Sequence, residues 1–477
     1  MLQGKAVVIG GGIAGLLSAR VLSSHFEQIM VLEKDAYSEK AVTRNGIPQS
    51  HHIHILLMKG RQILTDLFPN LESVLISKGA HRVDLLADVK YHLATGFALR
   101  LKSGMYTIAC TRHLLENTIR DELLTHCHNV KIKENTMATS LAKSTNGNEI
   151  LGVNTISNNS LSSFYEGRLI VDATGRRSET AKWLEKIGFE RPPQLKINSW
   201  IGYATQKYKL PDNLNLDWKS LIVMTKPPTN PRMAVIYPVE GDNVVMVGLL
   251  GIGKTYSPTD KDGFMEFAKQ IGVDEVKGII EKSKPISPIF GYRETGSRQY
   301  LFENMKKWPD NLVALGDSVC AFNPLYGQGI TVTAICAKTL GNHLENDWQT
   351  NYHIKKGFSQ SFQKKIAKVN SFPWLLGTSE DLRWPTSEGP RPNLLTTIMQ
   401  KYANDVMLLG PESKLATRSF FAMMHMLKSP LVLFHPLIMT HLLYKKLAKK
   451  KHQNINQITC LLFVISVVIM IRNKHVV

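Results

Sequence analysis

The chain has 477 residues, with 58 Lys and Arg against 39 Asp and Glu for a net charge of +19, and 43% of it is hydrophobic. That is enough apolar mass to bury two cores, and at ~150 residues per domain it predicts two or three units. The five cysteines (Cys110, Cys127, Cys320, Cys336, Cys460) form no C-x-x-C and no even pattern, which reads as reduced cytosolic thiols and argues against a disulfide framework or zinc. The basic residues are spread over the chain without interleaved aromatics in a compact stripe, so nucleic acid is not an expected partner.

Ala6–Ile9 is a short apolar run that predicts a buried parallel strand beginning too early for a signal peptide, so the catalytic part is expected in the cytoplasm. Gly10, Gly12 and Gly15 follow as G-x-G-x-x-G, with Ala19 and Leu22 continuing at helical spacing. The three glycines give a tight turn, close backbone approach to a pyrophosphate, and close packing of helix on strand. The phosphates would then meet free N–H groups at the helix N-terminus. A second strand, Ile29–Leu32, ends in Glu33, whose carboxylate can accept from both ribose hydroxyls of an adenosine and would repel a 2′-phosphate, disfavouring NADP here. This motif does not separate FAD from NAD.

His51, His52 and His54 lack the i, i+4 spacing of a helical metal site and have no acidic ligand beside them, which favours a polar pocket or structural histidines. A hairpin is expected near Val83–Lys102, and another from Glu149–Ile156 and Phe164–Val171 across the Asn/Ser-rich Ser157–Ser163. Arg191-Pro192-Pro193 reads as a linker into a block, Arg191–Trp308, in which Met233–Pro238 and Asn243–Leu250 read as buried strands. Trp200, Tyr237 and Tyr292 are candidates for lining an apolar pocket, or equally for the core.

Leu312–Asp317 is an apolar strand ending in Gly316-Asp317, and an aspartate at a strand's carboxyl end can bond a ribityl hydroxyl in the crevice where such sheets bind ligands. Asn323, Pro324, Tyr326, Gly327, Gln328 and Gly329 form a loop into the predicted helix Ile330–Leu340. Its glycines let backbone lie against a flat ring, and the positive helix end would stabilise negative charge at N1 and C2=O of a reduced flavin. This second motif decides for FAD.

With both motifs in place, the chain resembles the flavoprotein monooxygenases of the para-hydroxybenzoate hydroxylase type, and within them the branch of squalene epoxidase and the polyether epoxidases. The resemblance runs from Lys5 to about Pro436. Besides Gly10, Gly12, Gly15, Glu33, Asp317, Pro324, Gly327, Gln328 and Gly329, it carries Arg44-Asn45-Gly46-Ile47-Pro48-Gln49, similar to the family's R-x-G-x-P-Q, and Arg112 in Thr111–Glu116. The resemblance implies cofactor contacts for Arg44, Gln49 and Arg112. Trp374 and Glu380-Asp381-Leu382-Arg383, with Gly389-Pro390-Arg391-Pro392, look like that branch's C-terminal region. One departure is Val171-Asp172-Ala173-Thr174-Gly175-Arg176-Arg177: Thr174 stands where relatives that take NAD(P)H directly carry an aspartate. Either Asp172 substitutes for it, Arg176 and Arg177 serve the phosphates, or a separate reductase delivers electrons.

The expected architecture is α/β: a Rossmann-like FAD-binding domain (1–190 and 309–340) interleaved with a mixed β-sheet substrate domain (191–308, joined by the hairpin at 83–102). A helical C-terminal region (341–451), with breaks expected at Pro373, Pro385 and Pro392, and an apolar tail (452–477) follow. Leu431, Phe434, Ile438 and Leu442 lie on one side of a helical pattern that ends in Lys445, Lys446, Lys449, Lys450 and Lys451, as in an interfacial helix. Ile458–Ile471 is uncharged, and its 14 residues at ~1.5 Å each reach roughly 21 Å, short of a ~30 Å hydrocarbon core. Attachment to the cytoplasmic side of a membrane is expected, and squalene epoxidase's membrane-associated terminal helices point the same way.

The resemblance implies an FAD-dependent monooxygenase that inserts one oxygen atom of O2 into an apolar, isoprenoid or polyene-like substrate, by epoxidation or hydroxylation through a flavin C4a-hydroperoxide. Electrons would come from NAD(P)H or a reductase, and no protein nucleophile, hence no catalytic side chain, is assigned. The alternative is an FAD-dependent reductase or dehydrogenase of isoprenoid chains, which shares the glycine motif and a DATG-like segment. A halogenase is disfavoured because none of the seven tryptophans stands in W-x-W-x-I-P, and a flavin-free prenyl escort protein because the ring loop is complete.

Overall fold

Five strands make a parallel sheet in the order Leu312–Ala314, Leu169–Asp172, Leu2–Ile9, Phe26–Leu32, Val130–Lys133, in which Leu312–Ala314 and Leu169–Asp172 are buried throughout and the edge strand Val130–Lys133 alternates with exposed lysines. The computed structural model describes residues 2–37, 44, 46–93, 96–293, 295–351 and 354–450. Helix Ile13–Leu22 packs against this sheet and against the long helix Gly329–Asn351, and Leu16, Leu17, Val332 and Leu340 sink into the same core. Gly15 makes that packing close: a Cβ there would lie 1.8 Å from the Gly10 carbonyl oxygen.

The hairpin expected over Glu149–Val171 divides. Ile150–Ser157 pairs antiparallel with Ser162–Glu166 and with Thr136–Lys143, whereas Leu169–Asp172 leaves at Gly167-Arg168 to join the parallel sheet. The four fully buried residues of Leu169–Asp172 need a covered site, which the solvent-facing hairpin does not offer.

A second, eight-stranded mixed sheet includes Gly202–Lys209, Val244–Gly251, Arg232–Pro238 and Ser220–Val223 in that order, and takes in Val89–Leu93 with Gly96–Phe97 from the N-terminal part of the chain. Alternation sorts its side chains. Ala234, Ile236, Val245, Val247 and Leu249 face helices Lys261–Gln270 and Asp274–Lys282, while Met233, Val235, Tyr237 and Ile222 point to the other side. A small sheet of Gln194–Ile197, Ser297–Tyr300 and Cys320–Ala321 ties the 191–308 block to the segment after Asp317.

The C-terminal helices Phe358–Asp381, Leu394–Met407, Lys414–Met424 and Pro436–Lys450 follow. Pro373 does not break the first of them: the helix is held between two cores, with Ile366, Val369 and Trp374 on one and Phe372 and Leu376 on the other, and that packing outweighs the ~3 kcal/mol a helical proline costs. Of the stripe expected at an interface, Leu431 stays 43% exposed and the other three residues are reassigned. Phe434, Ile438 and Leu442 are buried against the neighbouring helices, whereas the outer face of Pro436–Lys450 shows Leu437, Tyr444 and Leu447 at 64%, 72% and 46% exposure. Lys445 and Lys446 pair with Glu412 and Asp405. Among the described residues no helix is long and apolar enough to cross a membrane; the tail at 452–477 lies outside them.

Replacing Gly15 with Ala forces backbone apart at the strand–helix turn, an overpacking expected to cost about 1–3 kcal/mol. The melting temperature of the flavin-free protein should fall by several degrees; an unchanged value would show that helix and strand are not in the close contact described.

Candidate active site

Gly10, with φ +100°, turns the chain at the end of Leu2–Ile9, where a Cβ would meet the Ala173 carbonyl oxygen at 2.6 Å. Gly12 caps helix Ile13–Leu22, and nothing lies within 4 Å of its Cβ position. The glycines thus divide the work: Gly10 turns, Gly12 faces open space, and Gly15 packs. Gly10, Gly12, Ile13 and Glu33 line one cavity of about 920 Å³.

Glu33 is buried and accepts from Gly11 N at 2.6 Å and Asp35 N at 2.9 Å. Arg44 reaches it at 3.3 Å and pairs at its other end with Glu116, which Arg112 approaches at 3.6 Å. Two acids and two guanidiniums therefore form a compensated buried cluster over the Tyr37 ring. Burial would lower the Arg44 pKa, but Glu116 and Glu33 outweigh it and hold it above its ordinary value. Arg112 Nε, Arg44 Nη1 and Glu116 Oε2 are buried without hydrogen-bond partners, and of these three residues Arg112 lines the cavity. Arg112 and Gln49, the latter on the turn Pro48–His51, line the cavity; Arg44 stands behind it, acting through the two glutamates.

At the other end, Gly316 (φ +63°) places Asp317 at the tip of Leu312–Ala314, with its carboxylate 3.7 Å from Arg176 Nε. A Cβ on Gly316 would lie 3.4 Å from that of Ala14, so the two motifs touch in space. Asp317, Pro324, Gly327 and Gly329 line the cavity, as do Ile330 and Thr333 of the first helical turn, so the helix N-terminus faces into it. Gln328 does not line it: its side chain is 1% exposed behind the loop, with both amide atoms unpartnered. The arrangement fits FAD, with polar groups and an uncovered glycine at one end and a glycine loop on a helix end at the other.

Asp172 does not substitute for the missing aspartate. Wholly buried, it accepts from Thr174 N and Oγ1, Ser178 Oγ and Ser318 Oγ, and so ties two loops together. Thr174, Arg176 and Arg177 line the cavity instead. His52 bonds Thr205 at 2.9 Å and is pushed down to about 3 by burial. His54 is lowered to about 3, by burial first and Arg112 second, so both form neutral walls of the cavity. His51 stacks on Phe290. Tyr237 and Tyr292 line the cavity and Trp200 does not, its indole N–H donating to Glu388.

Beyond the ring loop the cavity continues between the free face of the large sheet and the C-terminal helices, where Met233, Val235, Ala403, Met407, Phe420 and Met424 line it. The sequence offered little signal for this arm, because no single segment contains it.

Two variants test the cofactor ends. Gly12→Asp should fold normally and purify colourless, since the new carboxylate occupies open space on the pyrophosphate path; retained yellow colour would remove the glycine loop from the site. Asp317→Ala should weaken FAD roughly 10- to 150-fold, the worth of one charged hydrogen bond, by fluorescence titration. Unchanged affinity would refute a ribityl contact.

Among curated relatives, the chain is 26% identical over 388 residues to Protein Rv3254 of Mycobacterium tuberculosis, a match covering 79% of this chain and 80% of that one. Among solved structures, it superposes on a flavoprotein/dehydrogenase from Cytophaga hutchinsonii with a TM-score of 0.64 at 13% identity, over 93% of this chain and 98% of the other. The flavin-dependent brominase Bmp2 gives a TM-score of 0.61 at 15% identity, over 89% and 98%. At such identities the structures establish a common fold. The family described as FAD binding domain matches residues 3–347, close to three quarters of the chain and both ends of the groove, so this protein belongs to that family and is an FAD-dependent oxidoreductase.

Proposed function

We propose that the protein is a monooxygenase that transfers one oxygen atom of O2 to an apolar, isoprenoid or polyene-like substrate, working at the cytoplasmic face of a membrane. The observation that carries this reading is the arm of the cavity leaving the ring loop. Its walls are mostly apolar, although Glu380, Arg383, Asn404 and His425 also line the cavity, and its methionines, Met233, Met407 and Met424, give an adaptable surface suited to a long flexible chain.

Bound FAD would supply the redox chemistry with O2. Asp317 and the loop Asn323–Gly329 would orient it, and the N-terminus of Gly329–Asn351 would stabilise negative charge as it develops. The neutral histidines and the sheet's apolar face would exclude water from the reacting atoms. Thr174 in place of the aspartate favours electron delivery by a separate reductase over direct reduction by NAD(P)H. The absence of W-x-W-x-I-P favours oxygen transfer over the halogenation named for Bmp2. Membrane attachment is supported by the exposed Leu437, Tyr444 and Leu447 on the helix that leads to Lys449–Lys451 and the uncharged run.

Detergent-purified holoprotein should consume O2 with NADPH plus a flavin reductase and convert a polyene to an oxygenated product. A saturated or desaturated product would move the protein to the reductase or dehydrogenase reading. Ala403→Trp should fill the arm, leaving the flavin spectrum unchanged while turnover of long substrates drops at least roughly tenfold, about 1.4 kcal/mol of transition-state binding; full activity would place the substrate elsewhere. Deleting Gln457–Val477 should shift the protein toward the soluble fraction with its flavin bound, and loss of FAD would make the tail part of the core instead.

A further inference from the structure

Asp381, the last residue of helix Phe358–Asp381, lies outside the part of the chain that the FAD family covers, yet it reaches into the ring loop. Its Oδ1 accepts from Asn323 Nδ2 at 2.7 Å, Ser199 Oγ at 2.9 Å and Tyr326 OH at 3.1 Å. One oxygen thus joins the ring loop, the start of the large sheet and the C-terminal helices. Oδ2 is buried without a hydrogen-bond partner, and the residue is 1% exposed. The helix also backs the loop one turn earlier, where a Cβ on Gly377 would sit 3.2 Å from Tyr326 and 3.6 Å from Gln328. After Asp381, Ser387 Oγ returns to its carbonyl, and Glu388 exchanges backbone hydrogen bonds with Asn198. The chain is therefore pinned on both sides of the carboxylate.

We infer that Asp381 is the positioning residue of the flavin-ring loop, and that its charged form holds Asn323 and Tyr326 in the ring-binding conformation. Hydrogen bonds to a carboxylate are roughly twice as strong as those to a neutral acid, so protonation should loosen the loop without cutting any of the three contacts. Burial pushes the carboxyl up to about 6 against the three donors, which pull it down, and Glu380 adds a smaller upward push. The neighbouring charges are Glu380 and Arg383 on its own helix end, which pair at 2.8 Å, and Glu388 on the following turn. Tyr326 is held neutral by burial first and Asp381 second. His52 and His54, at about 3, and His425, at about 4, titrate below the window.

The direction follows. Because the folded value exceeds the ordinary 3.8, this group's contribution to stability is greatest below about 4 and declines as the pH rises through about 6, whereas its grip on the ring loop is greatest above 6. Acid release of the ring caused by Asp381 would therefore occur without unfolding.

The test compares FAD with ADP-ribose, which fills only the nucleotide end and keeps its pyrophosphate charged from pH 5 to 8. In the wild type, FAD affinity should fall about three- to tenfold from pH 7.5 to 5 with a change in the visible flavin band, while ADP-ribose affinity stays level. Asp381→Ala should weaken FAD roughly tenfold or more at pH 7.5 and leave ADP-ribose unchanged. Asp381→Asn keeps the accepting oxygen but not the charge, so at every pH it should bind FAD about as the wild type does at pH 5, tighter than Asp381→Ala and with no pH step. The proposal is overturned if Asp381→Ala binds FAD as the wild type does, if both ligands weaken together, or if the step survives in Asp381→Asn. Should Asp381→Ala not fold, Tyr326→Phe removes one donor and should weaken FAD alone with the step retained; equal loss of both ligands there would count against the proposal. These readouts depend on FAD binding only, so they are independent of the substrate reading.

Discussion

The buried carboxylate of Asp172 is the interaction on which the site depends. It ends the strand Leu169–Asp172, which lies between Leu2–Ile9 and Leu312–Ala314, and accepts four hydrogen bonds, three from its own turn at Thr174 and Ser178 and one from Ser318 beyond Leu312–Ala314. A buried charge is tolerated only when its lone pairs are filled, and an orphaned one costs several kcal/mol. The turn and the Gly316–Ser318 segment are thereby held in one arrangement, which places Asp317 beside the glycine loop. The parallel order of the sheet then brings the carboxyl ends of Leu2–Ile9, Leu169–Asp172 and Leu312–Ala314 to one edge, where doubly wound folds bind their ligands.

The large sheet extends the groove by alternation. A strand in which every residue is apolar has two apolar faces, and here one is used for stability and the other for function. Ala234, Ile236, Val247 and Leu249 close a core with two helices, while Met233, Val235 and Tyr237, one residue out of phase, face the cavity. The C-terminal helices cover that second face. Their own core around Tyr402, Val406, Ile438 and Leu442 holds them together, which leaves Ala403 and Met407 to line the arm.

Charge is handled locally despite the net +19. At the nucleotide end Glu33, Arg44, Glu116 and Arg112 compensate one another, and unfilled hydrogen-bonding capacity remains on Arg112 and Glu116. At the ring end Asp317 and Arg176 oppose each other, and Asp381 carries its charge behind the loop. Both ends of the groove are thus organised by buried acids whose partners come from distant parts of the chain.

The motifs whose chemistry is contiguous were legible in the sequence. A phosphate-binding turn needs strand, glycines and helix N-terminus in immediate succession, and a ring loop needs a strand end, glycines and a helix, so Gly10–Gly15 and Asp317–Gly329 reveal themselves at short range. Periodicity likewise marked Met233–Pro238 and Asn243–Leu250 as buried, because alternation and apolar length are local properties. What only the tertiary structure decided was the partner of each apolar face and each buried acid. Phe434, Ile438 and Leu442 repeat at helical spacing whether they meet lipid or other helices, and only packing assigns them to the core. Pro373 stays within a helix because two cores hold it. Asp172 and Asp381 owe their roles to donors as much as 182 residues away, and no local pattern encodes a hydrogen bond of that reach.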